Sequence, residues 1–192
     1  MRVHILGAAG SGTTTLGAAL AARLRCPQHD TDAFFWLPTD PPFTDQRPAA
    51  ERVALLAPLL AESAWVLSGS LCGWGDVFIP LFDRVVFLAL PRDARMARLR
   101  RREQARYGDK IAPGGVMHEA SVAFRAWAAR YDTAGLEQRS LRTHEEWMSR
   151  LPCPVLRLDG MLPSEEQVAQ VTADGALHVP PRDSRTSSPD RA

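Results

Sequence analysis

The residues with the clearest chemical potential are GAAGSGTTT, at positions 7 to 15, which follow the apolar run VHIL. Glycines in such a loop let the backbone wrap closely around an anion, so that successive N–H groups point inward. A helix predicted to begin near Thr13 adds the positive end of its dipole at the same place. The pattern predicts a phosphate-binding loop, with plain strand-to-helix packing as the alternative. The predicted binding residues are Gly7, Ala8, Gly10, Ser11, Gly12, Thr13, Thr14 and Thr15.

One position departs from the usual pattern of a phosphate loop. The spacing keeps Thr14, whose hydroxyl group is predicted to ligate Mg²⁺. Thr13, however, stands where a lysine normally bridges the β- and γ-phosphates of a nucleotide. Because that charge is missing, we expect phosphoryl transfer to suffer more than nucleotide binding does.

Arginine is the candidate source of the missing charge, since Lys110 is the only lysine in the chain. Arg95, Arg98 and Arg102 are spaced i, i+3 and i+7, which predicts one shared face of a helix between residues 92 and 106. The planar guanidinium group grips phosphate oxygens bidentately and stays charged. We predict that these three arginines are catalytic, the alternative being a solvated basic helix face. Further candidates are Arg106, Lys110, Arg125 and Arg130.

Two carboxylates stand at the end of the second predicted strand, in the stretch QHDTD. An Asp-x-Asp pair can bind Mg²⁺ through water or accept a proton from a substrate hydroxyl group. We predict that Asp32 is catalytic and supports the metal together with Thr14, and that Asp30 contacts the substrate. The alternatives are a turn role for Asp30 and a helix-capping role for Asp32.

Aromatic residues cluster in the two loops that are expected to flank a second ligand. Their faces can stack on a nucleobase or wall an apolar substrate, although aromatic runs also occur in cores. A glycine in the turn SGS, Gly69, permits close approach of a ligand to the backbone. The predicted substrate-contacting residues are Asp30, Phe35, Trp36, Gly69, Trp74 and Arg130.

The elements that must position these residues are short apolar strands alternating with helical patterns. Strands are predicted in the runs VHIL, QHDTD, WVLSGS, RVVFLALP and PVLRLDG. This alternation predicts an α/β fold with a parallel sheet of about five strands flanked by helices. Ligands bind such sheets at the carboxyl ends of the strands, where the glycine-rich loop falls. We predict one domain over residues 1–178 and a disordered polar tail over 179–192.

Composition excludes several classes of function. A formal net charge of +1 argues against binding of a nucleic acid polymer. The three cysteines lack CxxC spacing, so neither a zinc site nor a disulfide framework is expected. No apolar run approaches the length of a membrane span, which is about 18 residues or more, and we expect no signal peptide. The expected location is the cytoplasm.

The stretch GAAGSGTTTLGAALAARL resembles the start of the P-loop kinases related to adenylate, cytidylate and shikimate kinases. Some archaeal-type cytidylate kinases also read GSGTTT. Further along, WVLSGSLCGW and FDRVVFLALPRDARMARLRRR resemble segments of small bacterial kinase-like proteins of the topology-modulation type. The resemblance covers about residues 1–175, and only the phosphate loop in it is specific. Relatives often place a metal-supporting aspartate where this chain has Ser68.

The resemblance implies a three-layer P-loop fold with a helical lid over about residues 103–140. It also implies ATP and Mg²⁺ as cofactors, and an adenine-binding turn at residues 158–160. The activity implied is ATP-dependent phosphoryl transfer, with a nucleoside monophosphate as the first expected acceptor. A kinase of a small hydroxylated metabolite is the second hypothesis, and a nucleotide sensor without turnover is the third. The partners implied are thus small molecules or nucleotides, with no membrane.

Overall fold

A parallel sheet is the centre of the molecule, and the computed structural model describes residues 1–173 of it. The strand order is β2-β3-β1-β4-β5, and every neighbouring pair is parallel. This topology confirms the predicted α/β fold with five parallel strands. The strands are β1 Arg2–Gly7, β2 Gln28–Asp30, β3 Trp65–Ser68, β4 Arg84–Ala89 and β5 Val155–Asp159.

Helices connect the strands and cover both faces of the sheet. A single turn at the end of β2 and two 3-10 turns, Asp76–Leu81 and Gly108–Ile111, are additions to the predicted pattern. The helices are α1 Thr13–Leu24, α2 Asp32–Phe35, α3 Ala49–Leu60, α4 Arg92–Tyr107, α5 His118–Ala129, α6 Leu141–Ser149 and α7 Ser164–Ala173.

The apolar core lies in two layers, one on each face of the sheet. Because successive strand residues point to opposite faces, Val3 and Ile5 pack towards α1 and α7, while Leu6 packs towards α3 and α6. The larger layer contains Trp65 and Trp147. Strands that are buried on both faces read as apolar runs, which is why the sequence reveals them.

This arrangement brings the loops after the strands to one edge of the sheet. The glycine-rich loop follows β1, Asp30 ends β2, and Gly69 follows β3. The turn at Gly160 follows β5, and its N–H group donates to the carbonyl oxygen of Ala89 at the end of β4. The chemically interesting residues therefore meet where a doubly wound sheet binds ligands.

The region predicted to be the lid, residues 103–140, contains the end of α4, the 3-10 turn Gly108–Ile111 and α5, and α4 and α5 pack against each other. Met96 and Leu99 of α4 contact Ala128 of α5. Farther along α4, the buried Glu103 accepts a hydrogen bond of 3.0 Å from the Ser121 hydroxyl group. The predicted domain end at residue 178 and the predicted tail over 179–192 lie outside the described residues. None of the helices within residues 1–173 is long and apolar enough to cross a membrane.

Candidate active site

The glycine-rich loop has the open backbone that its sequence predicts. Gly10 and Gly12 have φ angles of 83° and 106°, in the left-handed region that favours glycine. At Gly7, a Cβ atom would lie 2.6 Å from the Ser11 hydroxyl oxygen and 2.7 Å from the carbonyl oxygen of Leu88. All three glycines are therefore required by the geometry of the loop, which we call the phosphate loop (residues 7–14).

Helix α1 starts directly after the phosphate loop, with Gly12 as its N-cap. Glycine offers no side chain to bond the first N–H groups of the helix, which are therefore available to an anion. Thr14 and Thr15 are exposed, and Thr13 is half-buried. The backbone of this loop fits the phosphate chain of a nucleotide.

Arg98 of α4 is bound to the phosphate loop. One of its Nη atoms donates to the carbonyl oxygen of Ser11 at 3.1 Å, and the other donates to that of Gly160 at 3.0 Å. The first Nη atom also lies 3.6 Å from the position that a Cβ atom would have at Gly12. A positive charge thus lies against the loop that lacks its lysine, and it ties that loop to the turn after β5.

Arg95, which the sequence predicts to be catalytic, has a different environment. Its side chain is fully buried and forms an ion pair with Asp132. Two further donors bond the carbonyl oxygens of Leu90 and Ala128, at 3.1 and 3.4 Å. The guanidinium group stacks over the ring of Tyr131. These contacts favour a structural role for Arg95 over the predicted catalytic one, because its donors are already engaged.

The hydroxyl group of Thr14 is paired with Asp30. Thr14 donates to Oδ2 of Asp30 at 2.7 Å, and the Ser68 hydroxyl group donates to the same oxygen at 3.3 Å. The sequence predicts Asp32 as the metal partner of Thr14 and Asp30 as a substrate contact, but the structure joins Asp30 to Thr14. Asp32 touches this pair only through its backbone N–H group, which donates to Oδ1 of Asp30 at 3.0 Å.

A divalent metal ion fits this arrangement. In phosphate loops Mg²⁺ takes one or two protein oxygens and completes its coordination with phosphates and water. Thr14 presents an exposed hydroxyl oxygen whose proton points towards Asp30. Within residues 1–173, no cluster of three His, Cys, Asp or Glu side chains could hold a metal without such help.

Asp32 instead faces a group of arginines. Its side chain is open to solvent but surrounded by protein atoms; this partial desolvation, with the negative charge of Asp30, raises its pKa. The positive charges of Arg139, Arg102 and Arg106 oppose that rise. We call Asp32 and these three arginines the arginine cleft.

Arg139 is the functional candidate that the sequence analysis missed. Its Nε atom is buried and, among residues 1–173, meets no hydrogen-bond acceptor. The guanidinium group stacks over the ring of Trp127, 4.9 Å from the centroid. Burial lowers the pKa of Arg139, and Asp32 counteracts this effect. The only local signal is the next residue, Ser140, which caps α6 by accepting a hydrogen bond from the N–H group of Thr143.

The three predicted aromatic residues fall into two sets, and Phe43 joins one of them. Trp36 and Phe43 line a cavity of about 400 Å³ beside Asp32. By contrast, Phe35 and Trp74 hold the buried guanidinium group of Arg52, at 3.7 and 5.8 Å from their ring centroids. The first set is available to a ligand, whereas the second is part of the packing.

Two other predicted substrate contacts have explanations within the fold. Gly69 has a φ angle of 106°, and a Cβ atom there would lie 1.9 Å from the Thr31 hydroxyl oxygen, so close packing requires the glycine. Arg130 is exposed and forms a 3.2 Å ion pair with Glu137. Arg125, a further candidate for the missing charge, lies 3.7 Å from a carboxylate oxygen of Glu103. These contacts favour structural or surface roles.

Comparison with known proteins agrees with this geometry. No family model matches the sequence. The chain is 48% identical over 170 residues to the uncharacterized protein YqaC of Bacillus subtilis (strain 168), and the alignment covers 88% of this chain and 94% of that protein.

Solved structures of similar fold include a deoxyadenosine kinase from M. mycoides with bound dATP. It is 12% identical, with a TM-score of 0.57, over 92% of this chain and 100% of that one. A shikimate kinase from Aquifex aeolicus vf5 is 16% identical, with a TM-score of 0.52, over 92% and 96% of the two chains. The shikimate kinase from Acinetobacter baumannii in complex with shikimate is 16% identical, with a TM-score of 0.50, over 92% and 95%. These likenesses confirm the predicted P-loop kinase fold.

Proposed function

This chain belongs to the family of the Bacillus subtilis protein YqaC, and we propose that it is an ATP-dependent phosphotransferase that works without the phosphate-loop lysine. One observation carries the proposal. The phosphate loop and the arginine cleft lie at the same edge of the sheet, and α4 connects them through Arg98 and Arg102. A donor phosphate and a charged acceptor can therefore meet there.

On the donor side, the phosphates of ATP bind the N–H groups of the phosphate loop. Arg98 holds that loop against the turn at Gly160, next to which the resemblance to P-loop kinases puts the adenine ring. Arg102 and Arg106 stabilise the negative charge on the phosphoryl group during transfer. Phosphoryl transfer needs positioning and charge more than covalent help, so arginines can replace a lysine in this role.

On the metal side, the geometry supports an exchange of the predicted roles of Asp30 and Asp32. Thr14 ligates Mg²⁺ through its hydroxyl oxygen, and Asp30 accepts the proton of that hydroxyl group. Bound Mg²⁺ supplies positive charge to the phosphate oxygens. Asp32 is then free to act on the acceptor.

The acceptor is best described as a small hydroxylated anion. Because its pKa is raised, Asp32 is suited to take a proton from an attacking hydroxyl group. Arg139 offers a buried N–H group to an anionic part of the same molecule. A carboxylate at this position would repel a phosphate acceptor, which needs no base to attack.

A nucleoside monophosphate is the second candidate acceptor, and the cavity beside Asp32 favours it. Trp36 and Phe43 meet at 6.0 Å between centroids, nearly perpendicular to each other, and their faces can stack on a planar base. A nucleotide sensor without turnover is the third. Thr13 and Ser68 favour the sensor, whereas the arginine cleft, which a sensor does not need, favours an enzyme.

The deciding experiment measures ATP consumption with a panel of nucleoside monophosphates and small hydroxylated acids. We expect one acceptor class to stimulate consumption. We also expect Asp32→Asn to abolish the stimulation by a hydroxylated acid without weakening ADP binding, and Asp93→Asn, an exposed control on α4, to change neither. Tight ADP binding with no stimulation by any acceptor would favour the sensor.

A further inference from the structure

Helix α1 contains a glycine in its interior, which is unusual because glycine disfavours helix formation. Gly17 is buried, four residues after the start of α1. A Cβ atom there would lie 2.7 Å from Nε2 of Gln28 and 3.2 Å from Cβ of Ser68. The missing side chain thus leaves a gap, and the amide of Gln28 occupies it.

From this gap, Gln28 connects α1 to β3. Its Nε2 atom donates to the carbonyl oxygen of Thr14 at 3.0 Å and to the Ser68 hydroxyl oxygen at 3.3 Å. The first bond holds the backbone of Thr14, two residues after the last loop glycine. The second fixes the hydroxyl group that stands where related kinases often have an aspartate.

Ser68 in turn contacts the carboxylate of Asp30. Since Ser68 accepts from Gln28, its own proton is directed to β2, where Oδ2 of Asp30 and the carbonyl oxygen of His29 both lie at 3.3 Å. The same oxygen accepts the Thr14 proton at 2.7 Å. Gln28, Ser68, Asp30 and Thr14 are therefore joined in one hydrogen-bond network, which Gln28 enters at the backbone carbonyl of Thr14. Because the Thr14 hydroxyl group donates its proton to Asp30, the lone pairs of its oxygen are left for a metal ion.

We propose that Gln28 is a positioning residue for the divalent metal ion of the phosphate loop, and that Gly17 exists to make room for it. The inference rests on the proposed function in that Thr14 ligates Mg²⁺. Gln28 fixes the Thr14 backbone directly and the Thr14 hydroxyl group through Ser68 and Asp30. The N–H groups that bind the phosphates belong to the phosphate loop, and Gln28 bonds none of them.

The test measures ADP binding by calorimetry, once in Mg²⁺ and once in EDTA. The ratio of the two dissociation constants gives the coupling between metal and nucleotide. We expect Gln28→Ala to reduce this ratio about tenfold, since loss of a residue that orients a metal ligand costs about 10–100-fold in affinity. Binding in EDTA should change less than about twofold, because the phosphate-binding backbone is intact. Gln170→Ala, an exposed glutamine on α7, is the matched control.

A second variant keeps the amide but moves it. Gly17→Ala puts a methyl group on the site of the Gln28 amide, so it should reduce the ratio in the same direction. In the Gln28→Ala background the amide is gone and only the 3.2 Å approach to Cβ of Ser68 remains, so Gly17→Ala should then reduce the ratio by much less than it does in the wild type. This non-additivity separates displacement of Gln28 from a general disturbance of α1.

The outcomes are distinct. An unchanged ratio in Gln28→Ala overturns the inference, and so does an equal loss of affinity in Mg²⁺ and EDTA. If Gln28→Ala does not fold, Gly17→Ala decides by the same two criteria. If the wild-type protein binds ADP under neither condition, the proposed function fails along with the inference. If it binds ADP more tightly with Mg²⁺ and both variants do the same, only the inference fails.

Discussion

The phosphate loop and the arginine cleft differ in how far their polar side chains are bonded to one another. Next to the loop, the side chains of Gln28, Ser68, Asp30 and Thr14 form a chain of hydrogen bonds, and Gln28 also bonds the backbone carbonyl of Thr14. In the arginine cleft, no ion pair joins Asp32 to Arg102, Arg106 or Arg139 within 4.0 Å among the described residues. The polar groups of the first region are bonded to one another before anything binds, whereas, within residues 1–173, the charged groups of the second face one another without direct ion pairs.

The phosphate loop is therefore the fixed part of the site, and the arginine cleft is the part that selects the acceptor. Donor phosphates and a metal ion are the same in every turnover, so a rigid surface suits them. Charges that lack partners gain most when a ligand of opposite charge arrives. The arginine cleft is therefore the region expected to choose the acceptor and to stabilise the transition state.

Removing one arginine of the cleft should have the strongest effect on the rate and should leave the phosphate loop intact. Arg102→Ala should lower kcat about 10³-fold, the size of effect that one arginine has in related phosphoryl transfer. ADP affinity should change little, because the contact strengthens only as charge develops. Steady-state kinetics and calorimetry measure the two quantities. Arg100→Ala, an exposed arginine on the same helix, should leave both unchanged. Wild-type kcat in Arg102→Ala would move the role to Arg106 or Arg139.

A substitution in the phosphate loop should have the opposite effect, on nucleotide binding. Gly12→Val forces a branched residue to a φ angle of 106°, which costs about 2 kcal/mol. The loop relieves this strain by leaving its phosphate-binding conformation, so ADP affinity should fall about 30-fold. Gly73→Val is the control, because Gly73 also has a positive φ angle of 82° but a Cβ atom there would meet nothing within 4 Å. The control should lose stability and keep its ADP affinity; equal affinities in the folded variants would contradict the prediction.

A buried histidine near Arg139 should make the stability of the protein sensitive to acid. His144 is fully buried, with the Tyr131 hydroxyl group 2.8 Å from its Nδ1 atom. Burial, and then the charge of Arg139, lowers the pKa of His144 from 6.5 to about 3. The unfolded chain then binds more protons below pH 6.5, so the free energy of unfolding falls as the pH falls towards 3.

One histidine of this kind changes the free energy of unfolding by about 2 kcal/mol between pH 6.5 and 5. Urea unfolding of the wild type and of His144→Gln measures this effect, because glutamine cannot be protonated in that range. The difference in stability between the two proteins should shrink by that amount as the pH is lowered. A constant difference would show that His144 does not titrate on unfolding.

The fold and the phosphate loop could be predicted because their signals are local. Buried strands read as apolar runs, and the loop glycines are recognised by spacing alone. The arginines of α4 were predicted as one group because they share a helix face. They lie over about 10.5 Å of helix axis, however, at 1.5 Å per residue. Arg95 is therefore buried between α4 and α5, while Arg102 lies farther along α4, in the arginine cleft.

The roles within the acid pair could not be predicted, because the chain changes direction between its members. Asp30 ends β2 and Asp32 begins the single turn of α2, so the two side chains do not follow the alternation of one strand. Arg139 was missed for a related reason. It lies in a loop over 100 residues away from Asp32 along the chain, and only tertiary packing brings the two charges together.

The substitution Thr13→Lys shows whether arginines do the work of the missing lysine. We predict that Thr13→Lys changes kcat of the wild type less than about tenfold, since the charge is already supplied, and restores part of the rate lost in Arg102→Ala. Both kcat values are measured with the acceptor that the panel identifies. A much larger increase in the wild-type background, with no rescue of Arg102→Ala, would mean that the loop has simply decayed and would contradict the account.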